Sequence, residues 1–204
     1  MKICKLRYIW QRDFKKGDPM QLNTLGLVHT VLRQTVRPGA VCIDATAGKG
    51  RDTALLCRLA GETGRVLAFD IQPEAVEQTE ALLAQEGLQA EVYLDSHANM
   101  AQYAEPETVD CVVFNFGRLP GGNPKIFTRA ESSLQAIDAG LELLRPGGVM
   151  AIALYYGGEN GYTERDAVLA HLAKLDQRRF TVLEGRWANR RGDPPMPVFV
   201  WKEG

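Results

Sequence analysis

From about residue 40 the chain alternates short, continuously apolar runs with longer stretches of helical spacing. Residues 40–43 predict a strand, Arg51–Ala60 a helix and Arg65–Asp70 a second strand. Residues 73–87 predict a helix with proline in its first turn and glycine at its end. Residues 90–94 and Val109–Phe116 predict two more strands. A helix over 129–144, closed by Arg145-Pro146-Gly147-Gly148, leads to a fifth strand at 149–155 and a helix at 162–175. Strands that are apolar throughout are buried on both faces, and their alternation with helices implies a doubly wound parallel sheet. The runs 180–187 and 197–202 are joined by residues 188–195 without a helical pattern, so they should pair antiparallel. The expectation is a seven-stranded, Rossmann-like α/β fold with an antiparallel last strand, unlike the six-stranded nicotinamide-binding arrangement. A helix over 21–36 precedes it, with Leu22, Leu25, Leu32 and Val36 on its apolar face. His29 fills the slot between Leu25 and Leu32, as a core residue or a functional one.

Charge refines this picture. Lys and Arg number 24 against 25 Asp and Glu, a net of −1, which excludes a uniformly basic nucleic-acid binder but not a local patch. Residues 1–18 carry six cations against two acids, interleaved with Tyr8, Trp10 and Phe14. Residues 178–191 carry five arginines against Glu184. Basic residues mixed with aromatics suit looped or single-stranded RNA, although either stretch alone also reads as a solvated face. Residues 1–20 are read as a basic extension and 21–204 as one domain. The cysteines at 4, 42, 57 and 111 fit neither a disulfide framework nor a zinc site. A reduced, cytoplasmic protein is expected. No apolar run reaches the length of a membrane span, and the start has no signal-peptide core.

Asp44-Ala45-Thr46-Ala47-Gly48-Lys49-Gly50-Arg51-Asp52 follows the first strand and opens the next helix. Glycines in such a turn let a ligand approach the backbone, and Asp70, 20 residues past Gly50 at the end of the second strand, can accept ribose hydroxyls. The alternative is a tight turn with Asp70 capping the following helix. Thr53 stands where a dinucleotide site would want a third glycine, and Asp52 would set negative charge beside a phosphate. Asp44 and Asp52 suit a cationic sulfonium better, so charge favours a methyl donor. Asn115-Phe116-Gly117-Arg118-Leu119-Pro120-Gly121-Gly122-Asn123 ends the fourth strand, at the edge where α/β sheets bind ligands. Asp95-Ser96-His97 ends the third strand, either facing an adenine or capping a helix at Ser96.

Together, the run Asp44 to Thr53, Phe69-Asp70-Ile71-Gln72, Ser96-His97 and the Asn115 loop resemble the small class I methyltransferases long labelled rRNA methylases. Members of the MnmM type methylate the amine of 5-aminomethyl-2-thiouridine in tRNA. The resemblance covers roughly residues 22–203, and the family has a first-helix histidine matched by His29. Two positions depart from it. Arg118 replaces a tyrosine, and Tyr155-Tyr156-Gly157-Gly158-Glu159 replaces a Gly-His pair. The resemblance implies a class I methyltransferase fold and S-adenosyl-L-methionine as cofactor. The cofactor would be held by Asp44, Thr46, Gly48, Gly50, Asp52, Thr53, Asp70, Gln72, Ser96, His97 and Asn115. The implied partner is RNA, tRNA first, with no membrane and with a homodimer left open. Asn115, His29 and Tyr155 are the candidates to position an acceptor amine. Cys111, mid-strand, is rejected as a nucleophile for ring-carbon methylation, and no Asp-Pro-Pro-Tyr-like run supports adenine methylation. An rRNA methyltransferase, a small-molecule N-methyltransferase and a non-catalytic nucleotide- or RNA-binding module remain as alternatives.

Overall fold

The computed structural model describes residues 23–117 and 129–204. The basic extension, the start of the leading helix and residues 118–123 of the Asn115 loop lie outside the described residues. Helix α1 (Thr24–Thr35) begins where the Asn23 side chain accepts from the Gly26 amide at 2.7 Å, a side-chain N-cap. It is followed by β1 (Val41–Asp44), α2 (Arg51–Ala60), β2 (Arg65–Asp70), α3 (Pro73–Glu86) and β3 (Glu91–Leu94). A 3-10 turn over His97–Gln102 leads to β4 (Val109–Phe116), α4 (Ala130–Leu143), β5 (Leu144–Leu154), α5 (Gly158–Leu172), β6 (Phe180–Glu184) and β7 (Met196–Lys202). α3 stops at Glu86 because Gly87 takes a left-handed conformation and returns its amide to Leu83 and Ala84.

The seven strands form one sheet in the order β3-β2-β1-β4-β5-β7-β6. β1 to β5 are parallel, and β7 runs antiparallel to both β5 and β6. The expected terminal pair forms, with β7 inserted beside β5. Burial explains the order. β7 is apolar and buried almost throughout and needs a neighbour on each side, whereas β6 is largely exposed and belongs at an edge. Three elements differ most from expectation. The 180–187 run pairs only to Glu184. β5 starts at Leu144 rather than 149 because Pro146, Gly147 and Gly148 form a bulge, not a helix stop. Gly147 has φ +80°, and a Cβ on Gly148 would lie 2.9 Å from the Arg145 carbonyl. α5 spans 158–172 rather than 162–175, entered from the extended Gly157.

Side chains alternate along β4. Val112, Phe114 and Phe116 pack with Ile137, Leu141 and Met150 on the α4 and α5 side. Cys111 and Val113 pack with Val28, Leu32 and Leu56 on the α1 and α2 side. Truncating the fully buried Phe114 to alanine should cost about 3–5 kcal/mol. The same alternation puts Asn115 on the α1 and α2 side at the end of the strand. β1 and β4 are neighbours although the chain runs outward through β2 and β3 between them, so the crevice at their carboxyl ends is the topological switch point. The foot of α1 is clamped by the β6–β7 connection. Trp187 Nε1 donates to Thr24 Oγ1 at 3.0 Å and to the Pro195 carbonyl at 3.2 Å, and the Thr24 hydroxyl donates to that carbonyl too. Among the described residues no helix is long and apolar enough to cross a membrane.

Candidate active site

The β1–α2 turn is built around a buried carboxylate. Asp44 accepts from the Thr46 amide at 3.1 Å and from the Thr53 hydroxyl at 2.6 Å. Burial above all, and then the charge of Asp52, push its carboxyl well above the usual range. Gly48 and Gly50 have φ +57° and +74°. A Cβ on Gly50 would stand 2.9 Å from Thr79 Cα, so glycine lets the turn lie against α3. Asp70 closes the turn from the next strand. Its Oδ2 accepts from the Gly48 amide and its Oδ1 from the Gln72 amide, each at 3.0 Å. The capping role considered from the sequence is therefore present. Asp70 is also half-buried, next to the 58% exposed Ile71, and each of its oxygens keeps a further acceptor site.

Six of the residues expected at the site, His29, Asp44, Thr46, Asp52, Thr53 and Asn115, are joined by one hydrogen-bond network. Asp52, buried in the first turn of α2, accepts from Asn115 Nδ2 at 2.7 Å and pairs with His29 Nε2 at 2.6 Å. The Asn115 amide donates to Thr46 Oγ1 at 2.7 Å, and Thr46 leads on to Asp44 and Thr53. α1, α2, β4 and the glycine turn thus converge on Asp52. His29 is neither a plain core residue nor isolated. With Nε2 given to a carboxylate, the neutral ring keeps its lone pair on Nδ1, which has no partner among the described residues. The side chain of His29 is 23% exposed, so the ring reaches the surface.

Other expected residues lie around this network. Thr53 is fully buried, its hydroxyl committed to Asp44. Gln72 is buried at the entrance to α3. Ser96 caps the 3-10 turn by accepting from the Ala98 amide, the plainer of its two readings. His97 turns Nδ1 to the Ala45 carbonyl at 3.2 Å, with its ring edge-on to Phe114 and Phe116. Burial holds its pKa below the ordinary histidine value, so the neutral ring is favoured. Tyr155 donates its amide to the Phe116 carbonyl, and its phenol is pushed up by burial and by Asp52. No hydrogen bond ties its side chain to the Asp52 network among the described residues. Cys111 is fully buried, and its thiol is held far above the ordinary range, unsuited to nucleophilic work. Sequence reasoning singled out Asp95 but missed the partners it gathers, Asn99 and Tyr103, which donate to its carboxylate at 2.8 and 2.7 Å. Asn99 lies four residues after Asp95, one turn further on, and that spacing was the available signal.

Residues 66–201 match the family model described as "Putative rRNA methylase". The chain is 33% identical over 186 residues to the chloroplastic tRNA (mnm(5)s(2)U34)-methyltransferase of Arabidopsis thaliana, covering 86% of this chain and 67% of that protein. It superimposes on a crystal structure from Clostridium thermocellum described as a "putative rRNA-methylase" with TM-score 0.86 and 39% identity, covering 88% of this chain and 97% of that one. A protein from Streptococcus mutans described as "a putative methyltransferase", solved in complex with SAH, matches with TM-score 0.81 and 35% identity, covering 88% and 98%.

Proposed function

The chain belongs to the rRNA methylase family, and from that premise we propose that it methylates the exocyclic amine of 5-aminomethyl-2-thiouridine at the tRNA wobble position. It is an S-adenosylmethionine-dependent methyltransferase. The choice of acceptor is supported by the likeness to the Arabidopsis enzyme along most of the chain.

The residues present fit the cofactor. Asp52 and Asp70 bring negative charge to the glycine turn, favourable to a sulfonium cation and unfavourable to a pyrophosphate. Asp70 would take the ribose hydroxyls, with Gln72, Ser96 and His97 towards the base. The bound cofactor supplies an electrophilic methyl carbon. The remaining work falls to side chains.

An alkylammonium acceptor must lose a proton before its nitrogen can attack. His29 can take that proton on Nδ1, while Asp52 fixes the ring tautomer and balances the imidazolium charge. Asn115, held through Nδ2 by the same carboxylate, can present its amide oxygen to an amine N–H and align the nitrogen for in-line displacement. The observation that carries this reading is the sharing of Asp52 by His29 and Asn115 at the switch point of the sheet. Nucleoside mass spectrometry of tRNA from cells with and without the gene tests it. Loss of the methylated nucleoside with accumulation of its free-amine precursor is expected. An unchanged tRNA profile with a lost methyl group in rRNA would overturn it.

A further inference from the structure

α1, α2 and α3 leave between them an open groove of ≈ 490 Å³, and His29 is among the residues that line it. Its charge is one-sided. Arg33 of α1, Lys49 of the glycine turn, and Arg51 and Arg58 of α2 line it, and all four are exposed. Glu86 is the single acid on its wall and is already paired with Arg58. Arg33, Lys49 and Arg51 have no ion-pair partner among the described residues. The nearby carboxylate of Asp52 is spent on His29 and Asn115. Between the cations the buried Ala54 and Leu55 make an apolar floor.

We infer that this groove carries the phosphodiester backbone of the RNA strand that enters the active site. The inference rests on the function proposed above. Three like charges along one concave wall repel one another, and a polyanion bound along them relieves that repulsion. The apolar floor accepts ribose and base edges, and the guanidinium planes can stack on unpaired bases. His29 is itself among the residues lining the groove, so a strand lying in it passes the side chain that would deprotonate the acceptor. An acidic protein partner gives no reason for His29 to line the same groove. The arginines of 178–191 occupy a different place. Arg190 lies over the Trp187 ring at 4.3 Å, and Trp187 clamps the foot of α1.

The test is filter binding of bulk tRNA across a salt series, with the full chain and with the Arg33→Ala/Arg51→Ala variant. Both side chains are exposed, and circular dichroism checks the fold. Losing two phosphate contacts to a single strand should lower the salt slope by roughly 1.4. Between 50 and 200 mM salt the wild type should then lose about sevenfold more affinity than the variant. Donor affinity measured by calorimetry should stay unchanged, and Arg33→Lys/Arg51→Lys should keep most of the slope. If the variant's slope equals that of a wild type that still methylates RNA, the groove assignment is overturned and an acidic protein becomes its occupant. If the wild type neither binds nor methylates any RNA, the proposed function fails, and the groove assignment with it.

Discussion

Asn115 Nδ2 donates to Asp52 Oδ2 at 2.7 Å, tying the end of β4 to the first turn of α2. The other oxygen of the same carboxylate holds His29. The acceptor side of the site therefore hangs on one buried group reached from three elements. Asn115→Ala would leave an oxygen of buried Asp52 without its donor, a cost of about 1–3 kcal/mol. Turnover should fall far more than donor affinity if, as proposed, the amide orients the acceptor. Steady-state kinetics beside calorimetry checks this, and a collapse of donor binding with normal turnover would make Asn115 a cofactor residue.

His29→Ala should lower kcat by about 10²–10⁴-fold, the usual range for a lost general base. The deficit should shrink as the pH rises past the pKa of the acceptor amine, because the substrate then arrives already neutral. A pH profile of kcat for wild type and variant decides the point. A deficit that stays constant with pH would assign His29 a structural role.

Asp70→Ala should weaken donor binding by about 1.5–3 kcal/mol, the scale of a hydrogen bond to a charged group. It also strips the acceptor from the Gly48 and Gln72 amides, so the melting temperature should fall as well. Calorimetric affinity and a thermal melt separate the two effects. Unchanged affinity with a lowered melting temperature would leave Asp70 as a cap alone.

Asp44 gives a prediction in pH. Its folded-state pKa is raised from 3.8 to about 7, first by burial and then by Asp52. Between those values the unfolded chain has released the proton while the folded chain still holds it. Stability should therefore fall as the pH rises through that window and level off above it. Asp44→Asn should flatten the slope. Urea midpoints across pH 4–8 measure it, and identical slopes in wild type and variant would refute the assignment.

Local pattern was enough to place much of the fold. The bounds of α2, β2 and β4 are those expected, because glycines flank α2 and β4 is an unbroken apolar run. β5 and α5 were misplaced at their starts, since a Pro-Gly-Gly segment reads as a helix stop although the Val109 edge recruits it as a bulge. Position in the sheet also escaped local reading. Which strands are neighbours depends on which faces must be covered, and this moved β7 inside β6.

The chemical residues divide in the same way. The glycine turn, Asp70 and Asn115 were legible because each stands at or next to the end of a strand that local pattern marks. That His29 meets Asp52 was not, because the contact depends on how α1 docks, and Thr24 and Trp187 fix that docking from opposite ends of the chain. The basic groove was hidden for a similar reason. Contiguous cations at 1–18 and 178–191 stand out in a linear reading, whereas Arg33, Lys49, Arg51 and Arg58 form no such run. The sequence by itself determined the class of fold and the carboxylates suited to a methyl donor, since both follow from neighbours along the chain. Tertiary structure decided which distant side chains share a charge or line a groove, because helix packing sets those distances.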